Sequence, residues 1–128
     1  MTAVAFSNPS PIAPGLGYSH AALITGEGCR LLISGQVGRA PDGTVPSNGE
    51  TQIALALANL HAVLKAHGME PHSVVRTTLY ITDRSLLAPL RAARAAFFGK
   101  HAPTSTLLIV AGLADPNFLV EIEAEAVA

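Results

Sequence analysis

Several features that mark common classes of protein are missing from this sequence. It has no tryptophan and a single cysteine, Cys29, and charged residues make up only 13% of the chain. One cysteine excludes an internal disulfide and suits a reducing compartment. The net charge of −1 provides no basic patch for a phosphate backbone, and aromatic residues amount to only 5%. We therefore expect no nucleic-acid partner.

Long apolar runs and a basic leader are also missing. No apolar run in the sequence approaches the roughly 20 residues that a membrane-spanning helix requires. The first residues lack the basic segment and long apolar segment of a signal peptide. The sequence therefore predicts a cytoplasmic protein with no membrane partner.

The composition is that of a folded and strongly apolar chain. Hydrophobic residues make up 49% of the sequence, which is too many for a disordered protein. A length of 128 residues predicts one domain over residues 1–128, able to bury roughly 65–70% of its unfolded surface. So low a charge content on a small domain indicates that other subunits cover part of its surface.

Two helices are predicted from apolar residues at three- and four-residue spacing. The apolar stripe of the first consists of Ile53, Leu57, Leu60 and Leu64. We expect this helix to begin at a capping box formed by Ser47 and Glu50 and to end near His67, before Gly68. The second helix is predicted over about Leu86 to Lys100.

Strands are predicted where β-branched residues or strict alternation occur. They cover about Ser19–Thr25, Arg30–Ser34, Val74–Thr82, Thr104–Ala111 and Phe118–Val127, with an additional short strand considered near residues 3–6. In the third of these strands, one face is expected to carry Arg76, Thr78 and Tyr80, and the other Val75, Leu79 and Ile81. In the last strand, Val120, Ile122, Ala124 and Ala126 alternate with Glu121, Glu123 and Glu125.

The order of these elements, β-β-α-β-α-β-β, predicts a two-layer α+β domain. We expect a mixed sheet with both helices on one of its faces. The second face, which carries Tyr80 or the glutamates, then needs another cover, and oligomerisation provides one.

Common catalytic and metal-binding patterns are not found. Neither the pair His61 and His67 nor the pair His67 and His72 has the spacing and support of a zinc site, so we expect no metal. No nucleophile elbow or phosphate-binding loop occurs. His20 either borders a cleft or is an ordinary structural histidine.

An ordered set of short segments resembles the YjgF/RidA family over nearly the whole chain. These segments are Gly17-Tyr18, Ile33-Ser34-Gly35-Gln36, Pro41-Asp42-Gly43, Gln52 with Asn59-Leu60, Thr77-Thr78, Ala96-Phe97-Phe98 and Val120-Glu121-Ile122-Glu123-Ala124. The resemblance implies a chorismate-mutase-like fold, a homotrimer with small-molecule sites between subunits, and hydrolysis of reactive enamines and imines without a cofactor.

The resemblance also implies which residues line the site. Glu121 and Tyr18 are the expected catalytic residues, and Ser34 and Gly35 are expected to bind substrate. Glu121 would position water or transfer a proton, and Tyr18 would close the cleft and donate a hydrogen bond.

The chain departs from the family pattern at Ser105, where deaminating members have an arginine that binds the substrate carboxylate. Loss of such a charge-assisted fork costs roughly 1.5–3 kcal/mol. Either Arg91 or Arg94 supplies the missing cation, or the substrate lacks a carboxylate and meets the hydroxyls of Ser105 and Thr106.

Three functions follow from this departure. The first is an imine or enamine deaminase with altered substrate choice. The second is a non-catalytic trimeric protein that binds a ligand or assists a pathway. The third is a ribonuclease-like or chaperone-like role, and the near-neutral charge disfavours RNA.

Overall fold

The computed structural model describes residues 3–14 and 19–128. The strands are β1 (Ala3–Ser7), β2 (Ala21–Gly26), β3 (Gly28–Val37), β4 (Val74–Ile81), β5 (Thr104–Ile109) and β6 (Val120–Val127), and the helices are α1 (Gly49–Ala66) and α2 (Leu87–Phe98). Single 3-10 turns, Pro71–Ser73 and Arg84–Leu86, precede β4 and α2. The described chain thus has the predicted order of elements with β1 added at the N-terminal side.

All six strands form one mixed sheet in the order β1-β2-β3-β6-β4-β5. The pair β4 and β5 is parallel, and the other neighbours are antiparallel. Helix α1 packs against β3, β6 and α2, so the two helices share one face of the sheet. The predicted α+β class is confirmed. The last strand of the chain, β6, lies in the middle of the sheet.

The core lies between α1 and the helix-facing side of the sheet. All four members of the α1 stripe are buried: Ile53, Leu57, Leu60 and Leu64. The apolar residues of β6 meet them and are buried as well: Val120, Ile122, Ala124 and Ala126. Burial of each large aliphatic side chain contributes roughly 1.5–3 kcal/mol, so this contact fixes β6 and its glutamates in place.

The start of α1 and the start of β4 differ from the predictions. Asn48, not Ser47, is the N-cap, and its Oδ1 accepts a hydrogen bond from the Thr51 amide at 3.0 Å. Asparagine caps a helix as well as serine does, and it lies one residue closer to the helix. In β4, Val74 is buried and Val75 is 40% exposed. The predicted placement of Val75 on the strand face of Leu79 and Ile81 is wrong because a bulge between Val74 and Arg76 adds one residue to the alternation.

The second face of the sheet has no helix over it in the part of the chain that the structure describes. Phe6 is 72% exposed and Leu108 is 44% exposed on this face. Between them, Glu125 forms ion pairs with Arg30 and with Arg76, the latter at 3.4 Å between Nη2 and Oε2. This face therefore combines exposed apolar side chains with an ion-paired carboxylate at Glu125.

Within residues 3–14 and 19–128, no helix has the length and apolarity that a membrane crossing requires.

Candidate active site

Glu121 lies at the start of β6, directly over Gly35 of β3. The pairing of β3 with β6 is irregular between Ile33 and Gln36, and Gly35 stands in this irregular segment. A Cβ atom on Gly35 would lie only 2.1 Å from Oε2 of Glu121. The absence of a side chain at Gly35 therefore makes the space that the Glu121 carboxylate occupies.

The surroundings of Glu121 favour its protonated form. Its side chain is half-buried, and burial raises the pKa of the Glu121 carboxyl above its ordinary value, with a further contribution from the charge of Glu123. Among the described residues, none donates a hydrogen bond to the Glu121 carboxylate or forms an ion pair with it. Its neighbour Glu123 instead accepts a hydrogen bond from the Tyr80 hydroxyl at 2.8 Å. Glu121 is thus a carboxyl group suited to exchanging a proton.

A cavity of about 310 Å³ opens beside the Glu121 carboxyl group. Its wall includes Ser34, Gly35, Arg39, Phe118 and Glu121, together with part of the segment before β2. The cavity is large enough for a small organic molecule, and its lining combines apolar surface with a few polar groups, as small-molecule sites usually do.

A hydrogen-bond network holds one wall of this cavity. The Gln36 amide nitrogen lies 3.1 Å from the Ser34 carbonyl oxygen and 3.1 Å from Nδ1 of His20. An amide nitrogen only donates, so Nδ1 accepts and Nε2 of His20 carries the hydrogen that it donates to the Ala13 carbonyl at 2.8 Å. The Ser34 hydroxyl donates to the Ser19 carbonyl at 2.6 Å. His20 therefore has a structural role at the border of the cavity, and the Ser34 hydroxyl remains available as an acceptor.

Buried Gln52 of α1 holds the loops that precede α1 and β6. Its side-chain nitrogen donates to the carbonyl oxygens of Pro46 and Asn117, both at 2.8 Å. Its side-chain oxygen accepts from the Leu119 amide at 2.9 Å. Gln52 is fully buried, and these three bonds account for its amide group. The position of Glu121 therefore depends on α1 as well as on the sheet.

Asn59, roughly two turns after Gln52 in α1, holds the segment after β3. Its side-chain nitrogen donates to the carbonyl oxygens of Val37 and Arg39, each at 3.1 Å. The Arg39 guanidinium carbon then lies 5.4 Å from the centre of the Phe118 ring, a distance typical of a cation–π contact. Arg39 is not among the residues that the sequence indicated for the site. The one available signal was a basic residue four positions after Gly35.

Ser105 does not face this cavity within one chain. It lies with Arg91 and Arg94 at a second cavity of about 250 Å³, formed by α2 and the start of β5. Nη1 of Arg94 donates a hydrogen bond to the Ser105 hydroxyl at 3.1 Å. A guanidinium therefore stands beside Ser105, and it comes from α2.

The sequence comparisons identify the family. The family described as Endoribonuclease L-PSP, which is the YjgF/RidA family, matches residues 8–128. The chain belongs to this family. It is 31% identical to the 2-iminobutanoate/2-iminopropanoate deaminase of Escherichia coli K12 over 102 residues, which cover 79% of this chain and 80% of that protein.

Solved structures of the YjgF/RidA family agree with the fold. The Rid-family protein YyfA of Yersinia pestis has a TM-score of 0.88 at 29% identity, covering 98% of this chain and 100% of that one. Escherichia coli TdcF, solved with bound serine, has a TM-score of 0.82 at 29% identity, covering 95% of this chain and 98% of that one.

The residues that the family resemblance indicated fall into three places. Glu121, Ser34 and Gly35 come together at the cavity of about 310 Å³. Ser105 is opposite buried Thr77 in the β4–β5 register and therefore faces the helices, whereas Glu121 points to the other side of the sheet. Thr106 alternates with Ser105 and lies at neither cavity. Tyr18 lies outside the described residues.

Proposed function

We propose that this YjgF/RidA-family protein hydrolyses imines and enamines of small molecules, with Glu121 as the group that transfers protons. The half-buried Glu121 carboxyl, seated on Gly35 at the edge of a cavity, carries the proposal. Its pKa is raised by burial, so it holds a proton at higher pH than an exposed glutamate does. This hydrolysis requires a group that can both donate and accept a proton.

The chemistry needs one water molecule and balanced proton transfers. Protonated Glu121 donates to the imine nitrogen, which makes the imine carbon more electrophilic. Water then adds to that carbon while the Glu121 carboxylate accepts one of its protons. Transfer of this proton to nitrogen lets the C–N bond break while the Glu121 carboxylate accepts the proton of the carbinol hydroxyl, so that a carbonyl compound and ammonia leave and Glu121 is protonated again. Tyr18 is expected to donate a hydrogen bond in the cleft, and Ser34 and Gly35 to contact the substrate.

We further propose that the site is completed between copies in a homotrimer. Ser105 and Glu121 face opposite sides of the sheet in one chain, so a site that uses both needs a second copy. Phe6 and Leu108, exposed on the sheet face without helices, provide apolar surface for such contacts. Light scattering on the purified protein at micromolar concentration should give the mass of a trimer, and a stable monomer would contradict this arrangement.

Substrate choice is expected to differ from that of relatives with an arginine at position 105. The deaminase relative is named for 2-iminobutanoate and 2-iminopropanoate, both imino acids, and TdcF was solved with serine, an amino acid. Here Ser105 supplies a hydroxyl that is already bonded to Arg94. We expect a substrate carboxylate to be accepted only if another cation meets it.

The direct test is ammonia release from freshly generated imines. An amino-acid oxidase or a dehydratase supplies the imine in the same cuvette, and semicarbazide trapping measures how much imine survives. The panel contains 2-iminobutanoate and an imine of similar size without a carboxylate. We expect the protein to accelerate hydrolysis of at least one panel member, and rates equal to those with serum albumin for every member would refute the proposal.

The loss of the family arginine also favours a second function, a non-catalytic ligand-binding or pathway-accessory protein. That function predicts a ligand-dependent rise in melting temperature without any turnover. The same panel, followed by thermal denaturation, separates the two functions.

A further inference from the structure

Arg39 is the cation of the Glu121 cavity. We propose that its guanidinium binds the carboxylate of the substrate there, in place of the arginine that Ser105 replaces. This inference rests on the proposed function in that the ligand is an imino acid or its keto-acid product. It assigns the specificity for a carboxylate to a residue in the loop after β3, on the same chain as Glu121.

The first support is an unsatisfied donor. Nε of Arg39 is buried, and it is the one buried side-chain nitrogen or oxygen among the described residues that has no hydrogen-bond partner. A buried donor without a partner costs about 1–3 kcal/mol, and more when it is charged. Most such groups in native proteins have a partner. A ligand oxygen in the cavity would supply the partner that the described residues do not.

The second support is the way in which Arg39 is held. The Phe118 ring lies under the guanidinium at 5.4 Å, and Asn59 holds the backbone of Arg39 through its carbonyl at 3.1 Å. The guanidinium is therefore oriented before a ligand arrives. A planar cation whose Nε–H has no partner among the described residues, with an Nη–H beside it, matches the two oxygens of a carboxylate.

The third support is the charge of the cavity. Glu121 lines it, and an imino acid would bring a second carboxylate close to the first. Two carboxylates in a partly buried site repel each other unless a cation lies beside them. Of the described residues that line this cavity, Arg39 is the one arginine or lysine.

Arg94 is the alternative cation, and its surroundings are less suited to the role. Its Nη1 already donates to the Ser105 hydroxyl, and it lies at the second cavity, on the other side of the sheet from Glu121. Arg94 can reach the Glu121 cavity only from another copy. Arg94→Gln therefore tests this alternative, with the same arginine-to-glutamine change at a different cavity.

The experiment measures the binding of 2-oxobutanoate and of its uncharged isostere 2-oxobutanamide by titration calorimetry or ligand-observed NMR. The proteins are wild type, Arg39→Gln, Arg39→Lys and Arg94→Gln, each checked for its melting temperature. We expect Arg39→Gln to weaken 2-oxobutanoate binding by about tenfold to 150-fold, the effect of a lost charge-assisted hydrogen bond. The affinity of Arg39→Lys for 2-oxobutanoate should lie between those of wild type and Arg39→Gln, because lysine keeps the charge and loses the planar fork.

The isostere separates recognition of the carboxylate from folding: Arg39→Gln should leave 2-oxobutanamide binding within about twofold, because the amide makes no ionic contact. Arg94→Gln decides between the two cations. It should change the binding of both ligands by less than about twofold, and a loss of 2-oxobutanoate binding in Arg94→Gln but not in Arg39→Gln would overturn the inference. Arg39→Met should keep its melting temperature, because the buried unpaired Nε–H disappears with the cation. It should also lose the rise in melting temperature that 2-oxobutanoate gives the wild type.

Each outcome bears on one hypothesis or the other. Equal 2-oxobutanoate affinity in wild type and Arg39→Gln, equal losses for acid and amide, or no wild-type binding would overturn the inference. If the wild type hydrolyses 2-iminobutanoate and Arg39→Gln leaves KM unchanged, the inference fails and the proposed function stands. If 2-oxobutanoate binds through Arg39 and no imine is hydrolysed, the inference stands and the proposed function fails.

Discussion

Replacing Gly35 by alanine should remove activity while leaving the fold intact. The new Cβ would lie 2.1 Å from Oε2, 2.6 Å from Cδ and 2.8 Å from Cγ of Glu121. Contact at van der Waals distance requires about 3.5 Å, so the carboxylate oxygen has to move by about 1.4 Å. A displacement of about 1 Å at a reacting group lowers rates by roughly 100-fold.

The stability cost of Gly35→Ala should be small for two reasons. The atoms that clash belong to the end of a flexible side chain, which can rotate toward the cavity. Gly35 is also not among the described glycines with positive φ, so alanine can adopt its backbone conformation. We expect the free energy of unfolding to change by less than about 1 kcal/mol, below the usual 1–3 kcal/mol for overpacking.

Gly38→Ala is the contrasting variant. Its Cβ would lie 2.4 Å from Cβ and 2.6 Å from Cα of Gln52, and the helix backbone cannot rotate away. We expect it to destabilise the fold by about 1–3 kcal/mol. Gly112→Ala has no described atom within 4 Å of the new Cβ and should change neither property.

The assay combines urea denaturation with kcat for the imine that the wild type hydrolyses best. Gly35→Ala should lose about 100-fold in kcat at nearly unchanged stability, and Glu121→Gln added to it should cause little further loss. An unchanged kcat in a folded Gly35→Ala protein would show that displacing the Glu121 carboxylate has no effect on the reaction.

Three further predictions follow from particular contacts. The pKa of Glu121 in the folded state is raised above the unfolded value near 4.5. The wild type should therefore lose stability relative to Glu121→Gln as pH rises from about 4.5 through the folded-state pKa. A difference in melting temperature between the two proteins that is the same at all pH values would contradict this. Gln52→Leu should lower the free energy of unfolding by about 2–4 kcal/mol in urea denaturation, because two carbonyls and one amide lose their buried partner, and an unchanged midpoint would contradict it. Tyr18→Phe leaves Tyr80 as the one tyrosine of the sequence. Absorbance titration of this variant should show a pKa of Tyr80 above its ordinary value of 10.0, because the Tyr80 hydroxyl donates a hydrogen bond to Glu123. Adding Glu123→Gln should make this shift smaller.

The sequence was sufficient to predict most of the fold because its strongest patterns coincide with buried faces. The strict alternation of the last strand predicted which of its residues are buried, and Ala124 and Ile122 are indeed in the core. It failed at Val75, since a bulge is set by the pairing with β6 and leaves no mark in the local alternation.

The site was less predictable from sequence because its parts are far apart in the chain. Glu121 and Gly35 were indicated by family resemblance, and only the strand pairing shows that one makes room for the other. Arg39 belongs to no motif, and its partner Phe118 lies far along the chain. Ser105 and Thr106 were expected to act together, yet neighbouring strand residues point to opposite faces.

The role of Glu121 as the proton carrier in imine hydrolysis is tested by comparing kcat for wild type, Glu121→Gln and Glu125→Gln. Glu125 is the control because it lies on the same strand face and is neutralised by Arg30 and Arg76. We expect a loss of about 10²- to 10⁴-fold in kcat for Glu121→Gln and a change of less than about threefold for Glu125→Gln. Equal kcat values for wild type and Glu121→Gln would contradict it.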